Sequence, residues 1–135
     1  MVPATALNPH EAAFVKTFLP PQRRERFLDA LASPKRRNVF HRHLHHPEDG
    51  FIITKFIVAI KPSEQYTCFI AESLKKLGAP NECWVFGNRL DGRQMPLEEA
   101  LDELIGGRSG TIASCIPGKL AYFESEEDRV ILYAY

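Results

Sequence analysis

Phe51-Ile52-Ile53-Thr54-Lys55-Phe56-Ile57-Val58-Ala59-Ile60 is the stretch on which the reading of this fold turns. It is dominated by Ile, Val and Phe, the β-branched and aromatic residues that favour a pleated strand, and it has no helical spacing. Its longest unbroken apolar run, Phe56 to Ile60, is far short of the roughly 18 residues that suggest a membrane span. The expectation is a strand covered on both faces. The chain changes here from a helical first third to a sheet.

Upstream, Asn8-Pro9-His10-Glu11 combines a capping side chain, Pro at the first helical position and a carboxylate three residues after the cap. Phe14, Val15, Phe18 and Leu19 follow at helical spacing, and Pro20-Pro21 stops the helix. A second helix is expected from Pro21 to Leu31, with Phe27, Leu28 and Leu31 inward. Ser33-Pro34 opens a third, whose stripe of Val39, Phe40 and Leu44 ends before Pro47 and Gly50.

Downstream, Ser63 is positioned to cap a helix carrying Lys75 and Lys76 near its negative end, with Gly78 just beyond. Cys83 to Phe86 reads as a short buried strand, Leu90-Asp91-Gly92 as a turn, and Pro96 to Ile105 as a helix with Glu98 and Glu99 in its first turn. The order strand, helix, strand, helix implies parallel strands joined by crossovers. Thr111–Ile116, Lys119–Glu124 and Arg129–Tyr135 complete the pattern as a meander with turns at Pro117-Gly118 and Glu126-Glu127-Asp128. The expected class is α+β with mixed α/β character, its N-terminal helices packed on a mixed sheet of about five strands. One domain is expected over residues 1–135, helical and basic over 1–46. The final strand is expected to be an exposed edge bearing Tyr133 and Tyr135.

The formal net charge of zero conceals a polarity. Residues 1–46 hold eight Lys and Arg against three acids, and residues 47–135 hold nine against fourteen, so the two parts carry +5 and −5. Arg23, Arg24, Lys35, Arg36, Arg37 and Arg42 form the candidate anion or nucleic-acid face, since phosphate binding requires positive charge at the right separation. No recognised nucleic-acid motif accompanies them.

His41-Arg42-His43-Leu44-His45-His46 holds four of the five histidines. His41 and His45 lie one helical turn apart and make the candidate metal pair, with Glu48 or Asp49 near in sequence. The set lacks a distant partner, and histidines at a helix end also complement its negative pole. A third candidate is a ligand crevice beyond the strand ends, with Lys61 and Ser63 (beside Glu64 and Gln65) after the first strand and Asn88, Arg89, Asp91 and Arg93 after the second.

Several chemistries fail on sequence grounds. Gly106-Gly107-Arg108-Ser109-Gly110 follows a helix and lacks the GK[ST] ending of a P-loop. Cys68, Cys83 and Cys115 form no CxxC pair and read as buried free thiols, and Cys115 has no identifiable base. Paired acids fall on a helix surface and a turn. No cofactor pattern is present, and Met1–Pro9 lacks the basic start and apolar middle of a secretory signal, so the expected location is the cytoplasm. The leading expectation is a non-catalytic interaction or regulatory module that binds a protein partner or a second copy of itself through the final strand. Nucleic-acid binding through residues 21–46 is the first alternative, and a small metal-dependent enzyme centred on His41–His46 the second. Membrane association is not expected.

Overall fold

The computed structural model describes residues 7–135. Residues 1–6, part of the stretch read for a secretory signal, lie outside the described residues. Helices α1 (Pro9–Phe18), α2 (Pro21–Ala32) and α3 (Arg37–His45) come first. They are followed by β1 (Ile57–Ala59), α4 (Thr67–Lys76), β2 (Glu82–Gly87), β3 (Arg93–Pro96), α5 (Leu97–Leu104), β4 (Thr111–Ile116), β5 (Leu120–Glu124) and β6 (Arg129–Tyr133). The class is α+β, as expected.

The caps explain most of the helix boundaries. Asn8 accepts the amide of His10 at 2.8 Å, and Pro9 fills the first helical position of α1. The Ser33-Pro34 signal gives a hydrogen-bonded turn, and α3 begins only at Arg37. Ser63 does not cap a helix: Pro62–Glu64 is a turn of 3₁₀ helix, and α4 starts after Tyr66.

The sheet has six strands in the order β1-β6-β5-β4-β2-β3, and every neighbouring pair is antiparallel. The expected parallel pairing is therefore wrong in an informative way. Following the ladder shows that β1 and β2 run in the same direction, as do β3 and β4. In the first case β6, β5 and β4 lie between the two strands, and in the second β2 does. Helices α4 and α5 do join strands of like direction, but other strands fill the gaps. The sixth strand, β3, carries only Met95 as a buried apolar residue and ends in a proline, so its pattern is too weak to announce itself.

Alternate strand residues face opposite layers. Trp84, Phe86, Ile112, Ala121, Phe123 and Leu132 pack under α1, α2 and α3. Val85, Ala113, Cys115, Tyr122 and Ile131 pack on α4 and α5. The first layer is bound largely by phenylalanines: Phe14 meets Phe86 edge-on at 5.6 Å, Phe40 stacks on Phe86 at 6.2 Å, and Phe27 meets Phe40 at 5.5 Å. Each such pair adds roughly 0.5–1.5 kcal/mol beyond its buried area.

Two expectations about exposure are corrected. Phe51–Ile60 is not a strand covered on both faces: Phe51 and Ile52 enter the core, Thr54–Phe56 forms a 3₁₀ turn, and the three strand residues are all exposed at the sheet margin. The final strand is not an edge, because β6 lies between β1 and β5.

Glu11, 2% exposed, turns inward from the first turn of α1 and does not cap it. Its Oε1 accepts Arg37 Nη1 at 2.7 Å, and its Oε2 accepts the Trp84 indole N–H at 2.9 Å. Arg37 also donates to Leu31 O at 2.8 Å and grips Asp91 with two parallel bonds of 2.7 and 3.0 Å. Asp91 Oδ1 accepts the Gly87 amide at 3.0 Å. One guanidinium thus ties α1, the end of α2, α3 and the β2–β3 loop together.

Removing one partner of a buried pair leaves an uncompensated charge, so Arg37→Met is expected to lower unfolding stability in urea by about 3–5 kcal/mol. Adding Glu11→Gln should restore part of the loss, because the stranded carboxylate is then gone. A loss below about 1 kcal/mol for Arg37→Met would contradict the clamp.

Candidate functional site

The two groups of candidate crevice residues lie at the same end of the sheet, but at opposite sides of it. Lys61 and Ser63 follow β1, while Asn88, Arg89 and Asp91 follow β2 and Arg93 opens β3. Four strand spacings separate β1 from β2, about 19 Å at ~4.8 Å each. They do not form one crevice. Asn88 Nδ2 donates to His41 O at 2.8 Å and Gly110 O at 2.7 Å, and Arg89 pairs with Glu103 at 3.3 Å. Asp91 belongs to the Arg37 clamp. Burial alone would raise its carboxyl, but the His41 ring, Arg37 and the Gly87 amide hold it well below the usual carboxylate range.

Between those groups, the same sheet end is closed by Glu124. This carboxylate is buried and accepts the Tyr122 hydroxyl at 2.7 Å, the Gly106 amide at 3.2 Å and the Arg108 amide at 2.6 Å. Arg129 Nε lies 3.4 Å away, and Arg129 Nη1 donates to Gln65 at 3.1 Å. Burial, then Glu124, pushes the Tyr122 phenol up. The two amides hold Arg108 in the left-handed region, φ 56°, which non-glycine residues seldom adopt. An open cleft of about 460 Å³ lies above, flanked by Ile60, Arg108, Arg129, Glu126 and Asp128. With Glu127 also lining it, three acids face two arginines, so the cleft offers no net positive field to an anion.

The histidine stretch divides three ways. His41 Nε2 is buried 3.5 Å from Asp91 Oδ1, near enough to act on its charge but without a close hydrogen bond among the described residues. His43 stacks on Phe51 at 5.9 Å, meets Phe27 edge-on at 5.0 Å and lies 3.3 Å from Glu48. His45 and His46 turn to Glu126, with His46 Nδ1 2.6 Å and His45 Nε2 4.0 Å from one carboxylate oxygen.

The expected pair His41 and His45 is thus divided between Asp91 and Glu126. His45, His46 and Glu126 come close enough to suggest an alternative ligand set. The Gly110 amide donates to His45 Nδ1 at 3.3 Å, however, so the ring proton sits on Nε2 and no lone pair faces Glu126. Metal-bound histidines show the reverse arrangement, in which the second ring nitrogen donates outward.

The approach that fixes this bond is tight. A Cβ on Gly110 would overlap the Leu44 carbonyl and the His45 amide.

Half of the basic candidate face is engaged internally. Arg37 is in the clamp, Arg24 Nε donates to Leu19 O at 2.9 Å and Arg23 pairs with Glu48 at 3.2 Å. Lys35, Arg36 and Arg42 remain exposed.

The two buried thiols offer no nucleophile. Cys83 and Cys115 are buried, and burial, with Glu82 beside it, pushes the Cys83 thiol up to about 12. Cys68 is exposed, against expectation. Ser114 shares a 2.8 Å hydrogen bond with His10 Nδ1, but Ser114 is only 1% exposed within β4, where the ladder to β5 shifts register.

The feature missed in the sequence is an open edge. In β1, Ile57 is 38% and Val58 40% exposed, and nearby in sequence Tyr66 (64%) and Phe69 (45%) also leave large apolar surfaces in solvent. The signal was present in the flanking Lys55 and Lys61, which are common devices on strand margins.

Burial between Phe27 and Phe51 lowers the pKa of His43, with Arg26, Arg23 and Arg42 acting in the same direction and Glu48 against it. Folding therefore favours the neutral ring. Its contribution to stability is complete above the ordinary value of about 6.5 and is lost as the pH falls through the lower folded value. His43→Phe should flatten the fall in urea stability between about pH 7 and 5. Superimposable profiles for the two proteins would refute this.

Long-range ¹H–¹⁵N spectra should find His45 as the Nε2–H tautomer, unmoved by an equivalent of zinc. An Nδ1–H tautomer, or a zinc-dependent shift of both His45 and His46, would overturn the assignment.

No protein-family model, curated protein or solved structure matches this chain.

Proposed function

We propose that this chain is a cytoplasmic protein-interaction module, without chemistry of its own, that takes an extended segment of its partner onto the free edge of β1. The observation that carries the reading is the exposure of all three β1 residues, Ile57, Val58 and Ala59, at the sheet margin. A strand margin presents a row of backbone donors and acceptors that a second chain can satisfy, while alternate side chains find their pockets.

The opposite margin is a poorer template. On β3, Arg93, Gln94 and Pro96 are exposed, and proline has no amide to donate. On the inner side of β1, Ile57, Phe123 and Val130 help to line a groove of about 220 Å³. Three free thiols are compatible with a reducing compartment, and no helix among the described residues is long and apolar enough to cross a membrane.

Nucleic-acid binding through residues 21–46 has less behind it, because three of its six basic residues are engaged internally. A metal-dependent activity has less again, given the proton on His45 Nε2.

Val58→Lys alters the centre of β1 without entering the core, so the variant should keep the thermal midpoint of the parent within a few degrees. Proteins retained from cell extract by the parent and by a Lys76→Ala control should be lost with Val58→Lys. An identical retained set for all three, or none for the parent, refutes the reading.

A further inference from the structure

If β1 is a docking edge, its two flanking lysines specify which strand it accepts, and the argument here rests on that reading. Lys55 and Lys61 lie three residues to either side of Val58, on the approaches to the strand. Both are exposed, and neither is in an ion pair among the described residues. Lys55 lies over its own Phe56 ring at 5.1 Å, which keeps its ammonium at the strand end. Lys55 sits in the 3₁₀ turn that leads into β1 and Lys61 follows the strand, so the two ammoniums flank its ends.

A second copy of this chain is the first occupant to consider, because isologous strand pairing builds many dimers. Antiparallel pairing that uses the whole of β1 puts Val58 opposite Val58. It then brings the Lys55 end of each copy toward the Lys61 end of the other, two like-charge encounters related by the two-fold axis. Like charges directly opposite one another are destabilising, and Pro62 prevents the ladder from extending to offset them. The edge is built against its own copy.

We infer that β1 takes a heterologous extended segment with an uncharged, β-branched centre and a carboxylate beyond each end of the paired residues, to meet Lys55 and Lys61. The centre must be uncharged, because Asp49 and Asp128 line the groove beside Ile57 and repel a carboxylate placed there. The two lysines would thus reject a second copy and select an acidic-ended partner with the same charges.

Two measurements test the inference. The first titrates the intact protein with the peptides Glu-Val-Thr-Val-Thr-Val-Glu and Lys-Val-Thr-Val-Thr-Val-Lys, following the amide resonances of residues 55–61. The acidic-ended peptide should bind roughly tenfold more tightly at low ionic strength, as expected of two exposed charge pairs, and salt should erase the difference. The Lys55→Glu, Lys61→Glu double variant should invert the preference. Equal binding of the two peptides overturns the charge inference and leaves the docking edge standing, whereas a failure of either peptide to perturb residues 55–61 removes the edge itself.

The second measurement is sedimentation. The parent should be a monomer, and the single variant Lys61→Glu, which converts both facing pairs into Lys–Glu pairs, should dimerise. A parent dimer dissolved by Val58→Lys, or a Lys61→Glu protein that stays monomeric at high concentration, overturns the account of self-exclusion.

Discussion

A single buried carboxylate constrains the helical layer. Glu11 cannot stay ionised in the core without donors, and the donors it finds come from two distant places, the Arg37 guanidinium of α3 and the Trp84 indole of β2. Arg37 then needs further acceptors and takes Asp91 and Leu31 O. Burial by itself would lower the pKa of this guanidinium, but the bonds to Asp91 and Glu11 raise it. The apolar layers would permit many helix orientations, since phenylalanine faces are forgiving, whereas the fork of Arg37 permits few.

Much of the fold was legible, and the parts that were not share a cause. Asn8, Pro20-Pro21, Gly78 and Pro117-Gly118 act through local backbone chemistry, and they placed α1, the α1–α2 break, the end of α4 and the β4–β5 turn close to where they lie. Strand order depends on which distant segments pair, and nothing local to β1 records that β6 is its neighbour. The apolar richness of Phe51–Ile60 predicts burial on both sides. In fact Phe51 and Ile52 take up the buried share in the first layer, and Ile57 and Val58 stay in solvent.

The candidate residues show the same division. Arg37 and Asp91 stood out in sequence as a basic-face residue and a turn residue, and they turned out to be each other's partners across the fold. Glu11 stood out as a helix-start carboxylate and became a core ligand of Arg37. Glu124 did not stand out at all, because a carboxylate that accepts two backbone amides of a remote loop leaves no sequence signature. His41 and His45 share a helical face by spacing, yet their imidazoles are drawn to acids on opposite flanks.

The brevity of β1 has a wider meaning for the sheet. Three residues paired to one neighbour are the part of the ladder most easily lost in a local opening, and β6 lies directly beneath. Its Val130-Ile131-Leu132 run is apolar and uncharged, the composition from which cross-β stacking grows. β1 therefore shields the backbone edge of an apolar interior strand, a short cover over the part of the sheet with most to hide.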